Sequence, residues 1–496
     1  MKYGLFHAAL GLMLSFGSVQ ADQPNVIFIL ADDLGYRELG SYGQEKIKTP
    51  RLDELASQGM RFTRAYSGNA VCAPSRCVLM TGKHPGHATV RDNASAKPEG
   101  QHPLSAADVT IAELLKAGGY TCGAFGKWGL GNVWSDGNPN QQGFDRFFGY
   151  NCQAHAHSYY PASLWSDGDL FPLQNDPPVP GHEGLLEGDD PADPNSYDRF
   201  KGRDYAPDRI HEQALAFLRE NRERPFFLYY PSVIPHVALH VPDKDLEPYL
   251  AMKWADPPFV RAKGGYTPHF TPRAAYAAMI SKLDTQVGEI LDLVDELGLG
   301  ENTLIVFTSD NGATHLREEV DVDFFNSVGD LRGLKGELYE GGIRVPQIAR
   351  WKGTIAPGST SERVIGFEDW LPTILDLVGA ATKMPTDIDG ISFAATLRGE
   401  AQADRPFLYR EFPSYGGQQA VWLGQRWKGI RTGLKKKRVK ADLTVQLYDL
   451  VADPSESRDV AAENPEVVAK IEALMTSERV PSTDFPFPAL DALTAK

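Results

Sequence analysis

Short β-branched runs alternate with amphipathic stretches through the N-terminal part of this chain. Asn25-Val26-Ile27-Phe28-Ile29-Leu30 is apolar almost without interruption, as expected of a strand covered on both faces. Thr49-Pro50 then provides an N-cap and a first-turn proline, with Leu52, Leu55 and Ala56 on one helical face and Gly59 as the stop. The pattern repeats: Thr110 caps a helix over 111–117, Gly118-Gly119 breaks it, and a strand follows over 120–125. Further strands are predicted over 225–230 and 303–308, separated by a long periodic helix over about 273–297. This alternation predicts an α/β fold, with a large mixed, mostly parallel sheet between helices.

The rhythm fails between Ser135 and Asp204, where Asp, Pro, Gly and Asn accumulate. That stretch is too long for a simple connection and reads as an excursion over one edge of the functional face. After about Gly399 the pattern becomes one of short antiparallel strands, over 407–411, 420–423, 427–431 and 446–450, followed by a helix over 465–477. The expected division is a leader over 1–21, a main domain over 22–399 and a smaller C-terminal α+β domain over 400–496.

Composition narrows the classes. Of 496 residues, 42% are hydrophobic and 23% charged, enough to build a large core without disulfide support. Lys and Arg number 50 against 65 Asp and Glu, a net charge of −15, which argues against a nucleic-acid partner. An anionic ligand would need positive charge gathered locally. The four cysteines are too few for a disulfide scaffold, and if one serves chemistry the other three permit at most one bridge. Lys2, the apolar run from Ala8 to Leu14 and Val19-Gln20-Ala21 read as an export signal, with the mature protein starting near Asp22 in the periplasm or outside the cell. That run is too short to span a bilayer, and no later segment approaches about 20 apolar residues, so no stable membrane insertion is expected.

Candidate chemistry lies at the strand ends. In open α/β sheets ligands bind beyond the carboxyl ends of the strands. Four predicted strands run into Asp32-Asp33, Gly126-Lys127, Pro235-His236 and Asp310-Asn311. Three carboxylates and an amide oxygen would make a hard all-oxygen site for Ca²⁺, or less favourably Mg²⁺. The same Asp-Asp and Asp-Asn-Gly sequences also suit turns that end strands. Cys72-Ala73-Pro74-Ser75-Arg76 places a cysteine at the start of a helix that ends at Gly82. A helix N-terminus favours an anion, and Arg76 one turn further in is placed to hold an oxyanion.

Cys72-x-Pro-Ser-Arg76 followed by Leu79-Met80-Thr81-Gly82 resembles the signature of the type I, formylglycine-dependent sulfatases. The resemblance runs over nearly the whole mature chain, through Ala31-Asp32-Asp33-Leu34-Gly35, Gly126-Lys127-Trp128, Pro235-His236, Ser309-Asp310-Asn311-Gly312, Gly333-Leu334-Lys335-Gly336 and Glu340-Gly341-Gly342. It implies an alkaline-phosphatase-like fold and a catalytic role for the main domain. It also implies oxidation of Cys72 to formylglycine by a maturation enzyme, and a Ca²⁺ site formed by Asp32, Asp33, residue 72, Asp310 and Asn311. One hydroxyl of the hydrated aldehyde attacks sulfur and the alcohol leaves; the second hydroxyl then expels sulfate. Arg76, Lys127 and Lys335 supply local positive charge, Asp310 accepts a proton from the nucleophile, and His236 protonates the leaving oxygen. The chain departs from the family at Gly129, where many members carry histidine two residues after the lysine.

Within the irregular stretch, His155-Ala156-His157 would present both imidazoles to one side if extended, where they could bind a sugar or simply pack beneath a loop. Asp387-Ile388-Asp389-Gly390 reads as a turn, and Lys435-Lys436-Lys437-Arg438 as the solvated tip of a hairpin. The expected activity is hydrolysis of sulfate esters on carbohydrate. The alternatives are a formylglycine-dependent phosphonate monoester or phosphodiester hydrolase, and an inactive polyanion-binding protein whose Cys72 is never converted.

Overall fold

The structure is a computed structural model that describes residues 23–97, 99–261, 265–435 and 441–494. The expected leader over 1–21 and Lys436, Lys437 and Arg438 lie outside the described residues.

Eleven strands form the main sheet: β1 Asn25–Ala31, β2 Met60–Tyr66, β3 Thr121–Lys127, β4 Arg146–Tyr150, β5 Ser163–Ser166, β6 Asp169–Pro172, β7 Phe226–Pro231, β8 Thr303–Ser309, β9 Arg344–Arg350, β10 Ser359–Ser361 and β11 Ile365–Gly366. The order is β10-β2-β9-β8-β1-β7-β3-β4-β5-β6, with β11 beside β2. The centre, β8-β1-β7-β3-β4, is parallel throughout. Antiparallel pairs enter at β9 on one side and at β5 and β6 on the other.

The uninterrupted apolar run of β1 is divided between two cores. Ile27, Ile29 and Ala31 face a layer containing α1 Pro50–Gln58, α4 Ala206–Asn221, α5 Asp243–Leu250 and α6 Pro272–Glu296. Val26, Phe28 and Leu30 face α2 Cys72–Thr81, α3 Ile111–Ala117 and α7 Trp370–Leu377. Alternate side chains leave a strand on opposite faces, so only a strand with helices on both sides buries every residue.

The helix boundaries follow the expected signals with one change of partner. Thr110 and Glu113 form a reciprocal capping box on α3. Thr49 precedes α1, but its hydroxyl accepts from Gly40 N–H (2.8 Å) and caps nothing in the helix. The stretch over 135–204 is also more regular than expected, because it contains β4, β5 and β6. These strands are only four or five residues long; β4 is buried after its first residue whereas β6 is exposed along its whole length, so they share no common pattern.

Strands β12 Phe407–Phe412, β13 Gln418–Leu423, β14 Trp427–Thr432 and β15 Gln446–Asp449 form an antiparallel meander. One face, with Tyr409, Val421 and Leu447, packs on α8 Pro465–Ser477. The other, with Leu408, Ala420 and Trp422, packs on Tyr66, Val71 and Tyr339 of the main body. All four cysteines are buried and free. Among the described residues no helix is long and apolar enough to cross a membrane.

Candidate active site

Consecutive residues of a strand point to opposite faces, so Asp32 and Asp33 could not meet if β1 continued. It ends at Ala31, and Asp33 adopts a left-handed backbone (φ 69°), a conformation Asp tolerates better than most residues. Asp33 N–H donates to Asp310 Oδ1 (3.2 Å), and Asp310 N–H donates to the Ala31 carbonyl (3.0 Å). The tips of β1 and β8 thus bring three buried carboxylates together.

Cys72 is the first residue of α2 and fully enclosed. Its Sγ lies 3.5 Å from Asp32 Oδ1, and the Lys127 and Lys335 ammonium groups lie 3.7 and 3.6 Å away. Lys127 Nζ donates to Asp32 Oδ2 (2.5 Å), while Lys335 Nζ is 2.6 Å from Asp33 Oδ1 and 2.7 Å from Oδ2. The oxyanion that Arg76 holds is a carboxylate of the chain itself: Nε and Nη2 donate to Asp310 Oδ2 at 3.0 and 2.8 Å, and Nη1 donates to the Lys127 carbonyl. Arg76 therefore braces the cluster from beneath. At the helix start Ala73 N–H is already taken by Asn93 Oδ1 (3.0 Å).

These contacts set the charges. Burial works against ionisation of Asp32, but Lys127, Arg76 and Lys335 outweigh it and hold the carboxyl well below the usual carboxylate range. Burial and the neighbouring Asp32 raise Asp310 to about 6 despite Arg76. Burial pushes the Cys72 thiol up to about 12 even with two lysines beside it, so it is no thiolate at neutral pH. Burial disfavours charge on Lys335, yet Asp33 and Asp32 keep it protonated.

Asp32, Asp33, Cys72 and His236 offer ligand atoms within 4.8 Å of one another. Asn311 Nδ2 donates to Asp33 Oδ1 (2.7 Å) and to the Gly312 carbonyl (3.0 Å), while Asn311 Oδ1 is buried without a donor. Anionic oxygens around an unanswered amide oxygen are a donor set suited to a hard divalent cation.

A cleft of about 280 Å³ opens over Cys72, Asp33 and Lys335, walled by Gln153, His157, His236, Tyr266, His315 and Tyr415. Tyr415 comes from the β12–β13 turn, stacks on Phe412 (5.7 Å between ring centroids) and meets His315 edge-on (5.3 Å). His236 pairs through Nδ1 with the Val237 carbonyl (2.5 Å), and its Nε2 is 3.6 Å from Asp33 Oδ2. Burial, then Lys335 and Lys127, push its pKa well below the ordinary imidazole value, so the resting ring is neutral.

His155 and His157 separate. Residues 155–157 form a 3₁₀ turn, in which positions two apart diverge by roughly 240°, not an extended segment. His157 stacks on His236 (5.2 Å, 5° between planes) and bonds His182 Nε2 (2.8 Å) and the Tyr266 hydroxyl (3.3 Å). His155 instead approaches Glu99 (3.4 Å) and does not line the cleft. Asp389, in the 387–390 turn, accepts from His84 N–H (2.9 Å) and pairs with His87 Nδ1 (2.9 Å).

Asn93, Gln153, Tyr266, His315 and Tyr415 escaped the sequence reading because they lie on separate loops without a shared spacing. Only Gln153 had an indirect signal, the missing histidine at 129. That position has φ 78°, and a Cβ built there would lie 2.3 Å from Gln153 Nε2.

A family model described as Sulfatase matches residues 24–380, and one described as N-sulphoglucosamine sulphohydrolase, C-terminal, matches 334–480. The chain belongs to the sulfatase family. It is 33% identical to Arylsulfatase A of Homo sapiens over 494 residues, covering 93% of this chain and 89% of that protein. It is 30% identical to the N-acetylgalactosamine-6-O-sulfatase of Bacteroides thetaiotaomicron over 506 residues, covering 92% and 93%. The solved structure of Ps i-CgsB in complex with k-i-k-neocarrahexaose has the same fold, with a TM-score of 0.75 at 24% identity over 95% of this chain and 97% of that one. This sulfatase is a sulfuric ester hydrolase with an alkaline-phosphatase-like fold.

Proposed function

We propose that this sulfatase is exported and releases sulfate from carbohydrate esters, using a formylglycine made from Cys72 and a Ca²⁺ ion. The observation that carries this reading is the position of Sγ, 3.5 Å from Asp32 and less than 4 Å from two ammonium groups. A thiol pushed up to about 12 is a poor nucleophile, so residue 72 suits the role of precursor better than that of catalyst. After conversion by a maturation enzyme, the hydrated aldehyde supplies the nucleophilic oxygen. Asp32, Asp33, Asp310 and Asn311 would hold the ion, which supplies Lewis acidity at a sulfate oxygen.

The chain's own residues do the rest. Lys127 and Lys335 offset the charge of the sulfate, which would otherwise repel the nucleophile. Asp310, steadied by Arg76, accepts the proton of the attacking hydroxyl. His236, which lines the cleft, protonates the leaving oxygen once the bound anion has drawn a proton to the ring. Lys335 faces it across the cleft and offsets negative charge building on that oxygen. His157, Tyr266, His315 and Tyr415 give the cleft an aromatic and hydrogen-bonding wall suited to a sugar ring, and one close relative is named for an N-acetylgalactosamine sulfate. His155, turned away, is left without a substrate role.

The test combines peptide mass spectrometry of natively produced enzyme with sulfate-release assays on defined sulfated oligosaccharides. Formylglycine at position 72 and release from at least one sugar are expected. An unmodified thiol in active enzyme would overturn the nucleophile, and greater activity on phosphodiesters would overturn the substrate class.

A further inference from the structure

Gln153 is a polar side chain in the catalytic cleft that makes no hydrogen bond through either end of its amide. It is 6% exposed, and both Nε2 and Oε1 are buried without a partner. It lines the same cleft as Cys72, Asp33, His236 and Lys335. Its place is built by the sheet: β4 lies parallel to β3, and just past both strands Gly129 N–H donates to the Asn151 carbonyl (3.1 Å). That bond ties the exit of one strand to the exit of the other, two residues before Gln153. The left-handed glycine at 129 leaves free the space where a side chain would begin, and the Gln153 amide occupies it.

A buried carboxamide with nothing to bond is costly, and the cost is recovered when a ligand supplies the missing partner. The neighbouring groups define that ligand. Two ammonium groups flank residue 72 and draw an anion in, while a neutral N–H donor adds a directed bond without unbalancing the buried charges. With both amide atoms unpaired, the nitrogen can turn to the ligand from either orientation of the resting side chain. We propose that Gln153 donates a hydrogen bond to an oxygen of the bound sulfate group, as a neutral replacement for the imidazole that many family members carry two residues after the lysine. This rests on the sulfatase reading above.

The experiment compares wild type, Gln153→Ala and Gln153→Glu by turnover of an aryl sulfate, by the inhibition constant of inorganic sulfate, and by formylglycine content at position 72. Turnover by the wild type tests the sulfatase reading on its own; its absence would sink that reading before Gln153 is considered. Given an active wild type, Gln153→Ala is expected to lower kcat/KM by about 10²-fold and to weaken sulfate inhibition by about tenfold, at equal formylglycine content. The isosteric Gln153→Glu should lose more in both, because a carboxylate repels the anion. Values within twofold of wild type, or a loss of turnover with sulfate inhibition unchanged, would overturn the assignment. If Gln153→Ala fails to fold, Gln153→Glu decides: sulfate inhibition equal to wild type in that variant refutes the hydrogen bond.

Discussion

Two groups of charges are equally buried in this molecule, one beneath the cleft and one under the C-terminal sheet. Under the sheet, Arg410 donates Nη1 and Nη2 to the two oxygens of Glu368 (2.9 and 2.8 Å) and Nε to the Ser67 carbonyl (3.0 Å). Arg405 adds a further bond to Glu368 (3.0 Å). Burial alone would raise Glu368, but the two arginines bring it down to about 2. Both carboxylate oxygens are answered from within the chain. Beneath the cleft the carboxylates are also paired, but Asn311 Oδ1 and both ends of Gln153 are not. The knot of Glu368, Arg405 and Arg410 leaves vacant only a donor, Arg405 Nε, and closes on its carboxylate, which fixes an interface; beneath the cleft a vacant acceptor sits beside the carboxylates and a free amide lines the space where a ligand would arrive.

Removing the centre of the open cluster should have the largest effect. Cys72→Ala is expected to cut sulfate release by at least about 10⁴-fold while the melting temperature stays close to wild type; near-normal rates would refute residue 72 as the nucleophile's source. The closed knot should fail in the opposite sense. Arg410→Met leaves the buried Glu368 with only the bond from Arg405, so denaturant titration should show a loss of about 3 kcal/mol, with near-normal activity for the molecules that remain folded. Asn311→Ala probes the vacant oxygen: the rise in melting temperature on adding Ca²⁺ should require roughly tenfold more ion than in wild type. An unchanged calcium response would remove Asn311 from the cation site.

Glu38 is a useful intermediate, a buried carboxyl bonded by Gly35 N–H (2.6 Å) and the Tyr276 hydroxyl (2.8 and 2.9 Å), with no ion pair among the described residues. Burial raises it to about 7 from an ordinary 4.5. Between those values the folded state holds a proton that the unfolded state has lost, so stability falls as pH rises through that window. Glu38→Gln should abolish this fall, making the variant about 1–3 kcal/mol more stable relative to wild type at pH 8 than at pH 5 in urea titrations.

The central strands and their polar tips were legible because a strand covered on both faces must be apolar throughout, which leaves Asp32-Asp33 and Asp310-Asn311 conspicuous at the ends. The six motifs carried the family with them. What escaped notice has physical causes. Strands β4 to β6 are too short for periodicity to register, and β6 is exposed throughout. The direction of Arg76 depends on Asp310, 234 positions away, which no local spacing reveals. That His157 lines the cleft while His155 turns away is set by a 3₁₀ turn, which over three residues leaves the same sequence trace as an extended segment.

Tyr415 stands on a hairpin of the small sheet, while the charges it overlooks belong to the large one. The ring closes one side of a basin whose floor is assembled without it. The two sheets are coupled at a seam where the Tyr415 ring fills the space beside Gly336 and Gln418 Nε2 donates to the Gly336 carbonyl (2.7 Å), so the hairpin also steadies the loop that presents Lys335.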